Sequence, residues 1–122
     1  MKSILIVDDA LFQRHLVKEI LQDQGFELRE AASGEEALEK LKVSEVDLVL
    51  LDITLPGKNG LETLEEIRRT HPFVKVIMVT AQAQKGIMLQ AVKLGAEDYL
   101  IKPIKPDRLI QTVRKVLELK EN

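Results

Sequence analysis

Five residues at the ends of apolar runs carry the chemistry that this sequence offers. They are Asp8 and Asp9 after ILIV, Asp52 after VDLVLL, Thr80 after VKVIMV, and Lys102 between DYLI and Pro103. Asp52 is the most demanding. Val46, Leu48, Val49, Leu50 and Leu51 are apolar enough to be buried on both faces. A carboxylate at the end of such a run costs free energy unless something holds it. Each residue alone has an ordinary use: Asp9 as a helix N-cap, Thr80 as a strand residue or cap, Lys102 as a solvated strand end, Asp52 as an acceptor for loop backbone. Together they point elsewhere, because a parallel sheet gathers these strand ends at one cleft. Three carboxylates there repel one another, which drives protons onto them or opens the site. Lys102 offsets one charge, and a divalent cation would offset the other two. All donors are oxygens, with no cysteine and no nearby histidine, so the ion is a hard one, Mg²⁺ or Mn²⁺ rather than zinc. Phosphoryl transfer uses the same group. Metal and lysine neutralise the transferring oxygens, the Thr80 hydroxyl donates, and Asp52 is the nucleophile.

Positioning these residues requires strands that end side by side. ILIV (4–7), VDLVLL (46–51) and VKVIMV (74–79) read as strands covered on both faces, with ELREA (27–31) and DYLI (98–101) as weaker ones. Helical patterns lie between them. Leu109, Ile110, Val113, Val116 and Leu117 fall on one stripe, as do Leu61, Leu64 and Ile67, and Phe12, Leu16 and Ile20. Ser33 with Glu36 and Asn59 with Glu62 have capping-box spacing, and Gly25, Pro72 and Gly95 fall where the first, third and fourth helices should stop. Strand–helix alternation predicts one α/β domain over residues 1–122, a doubly wound parallel sheet between two helical layers. Such sheets bind ligands outside the carboxyl ends of their strands, where the strand order reverses.

Composition narrows the classes. The 122 residues are 45% apolar but only 3% aromatic, so the core is built from Ile, Leu, Val and Ala. A net charge of −2 with no clustered basic face argues against nucleic-acid binding. The lack of cysteine excludes a disulfide scaffold and thiolate metal sites. MKSILIVDDA is too short in apolar residues for a secretory signal, and no apolar run approaches the roughly 18 residues of a membrane span. A cytoplasmic protein without membrane contact is expected. His15 and His71 have no ligand-spaced partner, Met78 and Met88 read as packing, and Lys105, Arg108, Arg114 and Lys115 as a solvated basic face.

The same segments resemble the receiver domain of bacterial and archaeal two-component response regulators, over essentially the whole chain. ILIVDDA is similar to the acidic pair closing the family's first strand. LDITLPGKNG is similar to its phospho-acceptor segment, with Pro56 and Gly60 four and eight positions after the aspartate. VTA resembles the hydroxyl residue closing the fourth strand, and GAEDYLIKPI the lysine–proline segment closing the fifth. The resemblance implies a flavodoxin-like fold, five helices flanking a five-stranded sheet in the order 2-1-3-4-5. It implies that Asp52 accepts a phosphoryl group from a phosphohistidine of a sensor histidine kinase. Mg²⁺ would be held by Asp9, Asp52 and the Thr54 carbonyl, with Asp8 acting mainly through water, while Lys102 and Thr80 contact phosphoryl oxygens. Thr80 would then move toward the phosphate and let Tyr99 turn inward, the Lys102–Pro103 bond would be cis, and the fourth helix, fifth strand and fifth helix would form the readout face. Such a protein is no enzyme beyond its own aspartyl phosphorylation and dephosphorylation.

Thr54 and Gln82 stand at positions that vary in the family and tune acyl-phosphate lifetime. The chain stops soon after its last helix, at Lys120-Glu121-Asn122, and if it is complete its output is expected to be made by docking on another protein. A monomer is expected. VDDALFQR, LDITLP and TAQAQKGIMLQAVKLGA look most like the single-domain chemotaxis regulators, implying a flagellar motor switch as target. A phosphorelay intermediate, handing the group to a histidine of a phosphotransfer protein, is the second role. Other classes fit less well. An aspartate-nucleophile phosphohydrolase would resemble D-x-D after the first strand, where this chain has Asp8-Asp9-Ala10, and would need a cap domain. A flavin electron carrier needs a Ser/Thr/Gly-rich phosphate loop there, and two carboxylates would repel its ligand. A pseudo-receiver that only docks normally lacks one of the acidic pair, the acceptor or the lysine, and all are present.

Overall fold

The computed structural model describes residues 1–81 and 85–119. Strands and helices alternate throughout: β1 (Ser3–Val7), α1 (Leu11–Leu21), β2 (Glu27–Ala31), α2 (Gly34–Val43), β3 (Leu48–Asp52), α3 (Gly60–Thr70), β4 (Lys75–Thr80), α4 (Lys85–Lys93), β5 (Asp98–Ile101) and α5 (Pro106–Val116). The strands are parallel and run in the order β2-β1-β3-β4-β5, the flavodoxin-like arrangement expected. Gln82 and Lys120-Glu121-Asn122 lie outside the described residues. No described helix is long and apolar enough to cross a membrane.

Residue alternation divides the core into two layers. Leu5 and Val7 of β1, Val49 and Leu51 of β3, and Val76 and Met78 of β4 pack with α2, α3 and Ala91 of α4. Ile4 and Ile6, Leu48 and Leu50, and Ile77 and Val79 face the other way, onto Val17 and Leu21 of α1 and Leu109, Val113 and Val116 of α5. The three central strands are covered on both sides, which explains their unbroken apolar runs. Each fully buried Leu or Ile contributes about 1.5–3 kcal/mol, so the strand ends rest on a stiff platform.

The strands are shifted slightly from their apolar runs. β3 starts at Leu48 and includes Asp52, and β4 starts at Lys75 and includes Thr80. Both polar residues are therefore the last residues of strands rather than the first of loops. Val46 and Val74, which precede the ladders, are nonetheless buried. The α3 capping box forms as spaced, with Asn59 accepting from the Glu62 amide and Glu62 from the Asn59 amide. In α2 the return bond is displaced by one residue, since Glu36 accepts from Ala32 rather than from Ser33.

One stripe needs correction. Phe12 is 79% exposed, and α1 buries Val17 and Leu21, while Leu16 and Ile20 of the expected row are only half-buried, Ile20 at the edge of the core. Gln13 occupies the buried phase one turn before Val17, and that polar residue hid the true face from an apolar periodicity count. The α3 and α5 stripes hold: Leu64, Ile67, Leu109, Val113 and Val116 are all buried.

Candidate functional site

Strand register brings the acidic residues together. Val7 lies opposite Leu51, so the next residues, Asp8 and Asp52, end adjacent strands at the point where the strand order reverses. Asp8 continues the side of β1 defined by Ile4 and Ile6, Asp52 that of Leu48 and Leu50, and Lys102 that of Leu100. Period-two alternation thus sends all three to one edge. Thr80 belongs to the opposite side of the sheet with Val76 and Met78, and it is buried beneath the same cleft. The Lys102 amide donates to the Thr80 carbonyl at 2.7 Å, joining the ends of β4 and β5. The Lys102–Pro103 bond is cis, as the resemblance implied.

Lys102 sits between the two buried acids. Its Nζ lies 2.9 Å from Asp8 Oδ2 and 2.9 Å from Asp52 Oδ2. The remaining carboxylate oxygens take backbone donors: Asp8 Oδ1 accepts from the Ala10 amide at 2.9 Å, and Asp52 Oδ1 from the Thr54 amide at 3.0 Å. Asp52 thus satisfies local backbone and faces the lysine at once. Asp9 does not cap α1. The N-cap is Ala10, without a side-chain bond, and the Asp9 carboxylate stays exposed at the cleft.

Burial pushes the Asp52 carboxyl above its ordinary pKa, against the lowering effect of the Lys102 hydrogen bond and the Thr54 amide, while the Asp8 charge raises it further. For Lys102 burial acts downward, but hydrogen bonds to Asp8 and Asp52 outweigh it and hold the ammonium above its usual range. Oxygens of Asp8, Asp9 and Asp52 all lie within 4.8 Å of one another. One ammonium contacts two of the three carboxylates, leaving a surplus of negative charge in an all-oxygen donor set. A hard divalent cation such as Mg²⁺ fits both the charge and the donors.

Asp52 is held from behind by close backbone packing. A Cβ on Gly60 would stand 2.3 Å from the Asp52 carbonyl oxygen and 2.6 Å from Ile53 Cα, so only glycine lets α3 begin there. The Gly60 amide donates to the Ile53 carbonyl at 2.9 Å, and Gly57 turns the intervening loop at φ +68°. Tyr99, on the edge strand β5, is 38% exposed. His15 is exposed, and His71 ends α3 beside the Thr70 hydroxyl, away from the cleft. Arg14 was not among the residues singled out by sequence. Its Nη1 donates to the Asp8 carbonyl at 2.6 Å and its Nε to Glu30 at 3.0 Å. A basic residue on a helix ordinarily reads as solvated, and only its place one position after Gln13, on the side of α1 nearest the strand end, hints otherwise.

Fold and site together define a receiver-type α/β domain, a parallel sheet with an acidic cluster and a lysine at its switch point. Residues 4–114 match the response regulator receiver domain family. The chain belongs to that family, which is one of signalling domains. It is 40% identical over 116 residues to the chemotaxis protein CheY of Thermotoga maritima, covering 94% of this chain and 97% of that protein. It is 43% identical to the chemotaxis protein CheY of Listeria monocytogenes, over 94% of this chain and 98% of that one. The crystal structure of a CheY-like receiver domain protein from Methanospirillum hungatei superposes with a TM-score of 0.92 at 36% identity, covering 97% of this chain and 94% of the other.

Proposed function

We propose that the chain is a phosphorylation-dependent switch whose acceptor is Asp52. The observation that carries this reading is Lys102 Nζ bridging Asp8 and Asp52 at 2.9 Å each, with the Asp9 carboxylate alongside and unpaired by any described cation. A purely structural lysine would need one acid, not three at a strand-end cleft. The donor of the phosphoryl group is a phosphohistidine on a sensor kinase. An Asp52 oxygen attacks phosphorus, the O–P bond forms as the N–P bond breaks, and the electron pair returns to the imidazole nitrogen. Mg²⁺, when bound, neutralises phosphoryl oxygens. Asp8, Asp9, Asp52 and the Thr54 carbonyl are the groups that would hold it. Lys102 leaves its carboxylate contacts to meet a phosphoryl oxygen, and Thr80 donates its hydroxyl.

The readout follows from the coupling of strand ends. The Thr80 carbonyl is bonded to the Lys102 amide, so a shift of the end of β4 is transmitted to β5, which carries the half-exposed Tyr99. An acyl phosphate favours the arrangement that satisfies its oxygens and so biases an existing two-state equilibrium. The target docks on the face formed by α4, β5 and α5. The names of the similar proteins favour chemotaxis. In that role the chain is a monomeric cytoplasmic protein that docks on a flagellar motor switch. The chain catalyses only its own phosphorylation and dephosphorylation.

The test is incubation with acetyl phosphate, with and without Mg²⁺, read by intact mass and Tyr99 fluorescence. One phosphoryl group should appear only with the metal, vanish on standing, and be absent in Asp52→Asn. Wild type that stays unmodified in Mg²⁺, and does not respond to a stable phosphate mimic, would make this a docking domain independent of phosphorylation.

A further inference from the structure

Two of the three cleft carboxylates are fixed by their own hydrogen bonds, and the third is not. Asp8 is held by the Ala10 amide and Lys102, and Asp52 by the Thr54 amide and Lys102. The Asp9 carboxylate is exposed and has no hydrogen-bond or ion-pair partner among the described residues, yet an oxygen of it lies within 4.8 Å of the other two. Its placement is therefore set by its main chain.

That main chain is gripped from α1. The Asp8 carbonyl and the Asp9 amide form one planar peptide unit, so fixing the oxygen fixes the plane from which Asp9 departs. Arg14 Nη1 donates to that oxygen at 2.6 Å while Nε donates to Glu30 Oε1 at 3.0 Å. The Arg14 side chain is only 13% exposed. Glu30, at the end of β2, is itself restrained: Lys18 takes its second oxygen at 3.0 Å, and the Lys40 ammonium contacts its carbonyl. Guanidinium geometry suits this double duty, because its donors are rigidly related to one another.

We propose that Arg14 is a positioning residue for the metal site: anchored by Glu30, it fixes the Asp8–Asp9 peptide so that the Asp9 carboxylate is presented beside Asp8 and Asp52. The inference rests on the reading of the cleft as a Mg²⁺ site. Charge and position make opposite demands here, which gives the test its sign. A guanidinium beside an acidic cluster repels a cation, so if Arg14 were only a nearby charge, removing it would tighten Mg²⁺ binding. If it positions Asp9, removing it loosens binding.

The experiment is a Mg²⁺ titration of wild type, Arg14→Met and Arg14→Lys, followed by amide NMR, with far-UV circular dichroism as the fold control. Arg14→Met should raise the Mg²⁺ Kd about tenfold, in the range seen when partners that orient metal ligands are removed. Its metal-free spectrum should differ from wild type most at the Asp9 and Ala10 amides. Arg14→Lys, which keeps the charge but not the fork, should also bind more weakly. An unchanged or lower Kd in Arg14→Met overturns the proposal. If Arg14→Met is unfolded at the assay temperature, a wild-type Kd in Arg14→Lys overturns it instead. Wild type that fails to bind Mg²⁺ sinks the reading of the cleft and this inference with it, whereas normal binding by wild type beside an unimpaired variant sinks this inference alone.

Discussion

Replacing Lys102 by methionine isolates the electrostatic problem of the cleft. The substitution keeps an unbranched apolar stem and removes the ammonium that lies 2.9 Å from both Asp8 and Asp52. Those carboxylates are 6% and 7% exposed, so water compensates little of what is lost. Breaking a buried pair by removing one partner costs about 3–5 kcal/mol. Because the Lys102 side chain keeps 20% of its surface in solvent, the lower end applies, about 3 kcal/mol. For a domain of this length that corresponds to a fall in Tm of roughly 12 °C in metal-free buffer at pH 7. The deficit should shrink on acidification. Asp52 already has a raised pKa in the fold, chiefly from burial, and loss of Lys102 raises it further. Between the ordinary carboxylate value and the raised one, the folded state binds more protons than the unfolded state, so stability falls as pH rises through that window. Mg²⁺ should also repair the damage, since the cleft then holds three carboxylates and no ammonium. At 100 times its Kd, the ion contributes about 2.7 kcal/mol, nearly the whole loss. Thermal melts of both proteins in EDTA and in Mg²⁺, at pH 7 and pH 5, measure all of this. A variant that melts within about 2 °C of wild type in EDTA refutes the claim that Lys102 compensates a buried acidic pair. A destabilised variant that Mg²⁺ does not rescue refutes the cation site.

Two further substitutions test how the cleft is built. Gly60→Ala places a methyl group 2.3 Å from the Asp52 carbonyl oxygen, and the backbone must move to admit it. We expect a loss of about 1–3 kcal/mol by denaturant unfolding and a fall of about 100-fold in labelling rate by acetyl phosphate, because displaced reacting groups lose orientation. Stability and labelling both at wild-type level would show that α3 can start elsewhere. Phe12→Ala should change stability by no more than about 0.5 kcal/mol, the usual range for a surface site, whereas a core phenylalanine would cost about 3–5 kcal/mol. A large loss on chemical denaturation would restore the stripe read from sequence.

The sheet was legible because its physical requirements leave marks at every level. Doubly covered strands must be apolar on both faces, so ILIV, VDLVLL and VKVIMV stood out, and Asp52 stood out against them. Parallel register then forced Asp8 and Asp52 to adjacent strand ends, and the alternation of side chains sent Lys102 to the same edge. These are consequences of period and order, which a sequence carries. What it did not carry was rotation about a helix axis. Gln13 sits in the buried phase of α1, so counting apolar residues selected Phe12, about 100° away from the face that packs. Arg14 was missed for a related reason. Its value lies in contacts with a main-chain carbonyl and with a glutamate on β2, and neither contact has a signature in local spacing. Asp9 was an equally good cap in sequence, and only the structure separates that use from the cleft, by showing Ala10 at the N-cap and Asp8 accepting its amide.

The same electrostatics that burdens the fold suits the proposed switch. A carboxylate held in an apolar platform, beside another acid and against one lysine, is a group whose charged form is disfavoured where it stands. Natural sequences break the rule against such burial mainly at functional sites. Had Asp52 served only to bind the Thr54 amide, an asparagine would do so without repelling Asp8, and Lys102 would not be needed to bridge them. An arrangement that leaves negative charge in surplus until a cation arrives makes the metal-free state the less satisfied one. In the proposed switch the cation would relieve repulsion, and the added phosphoryl charge would draw Lys102, whose amide is bonded to the end of β4. On that proposal, chemistry at the cleft and movement of the β4–β5 edge would be one event, and a substitution that satisfied the resting cleft would be expected to stabilise the fold while silencing the switch.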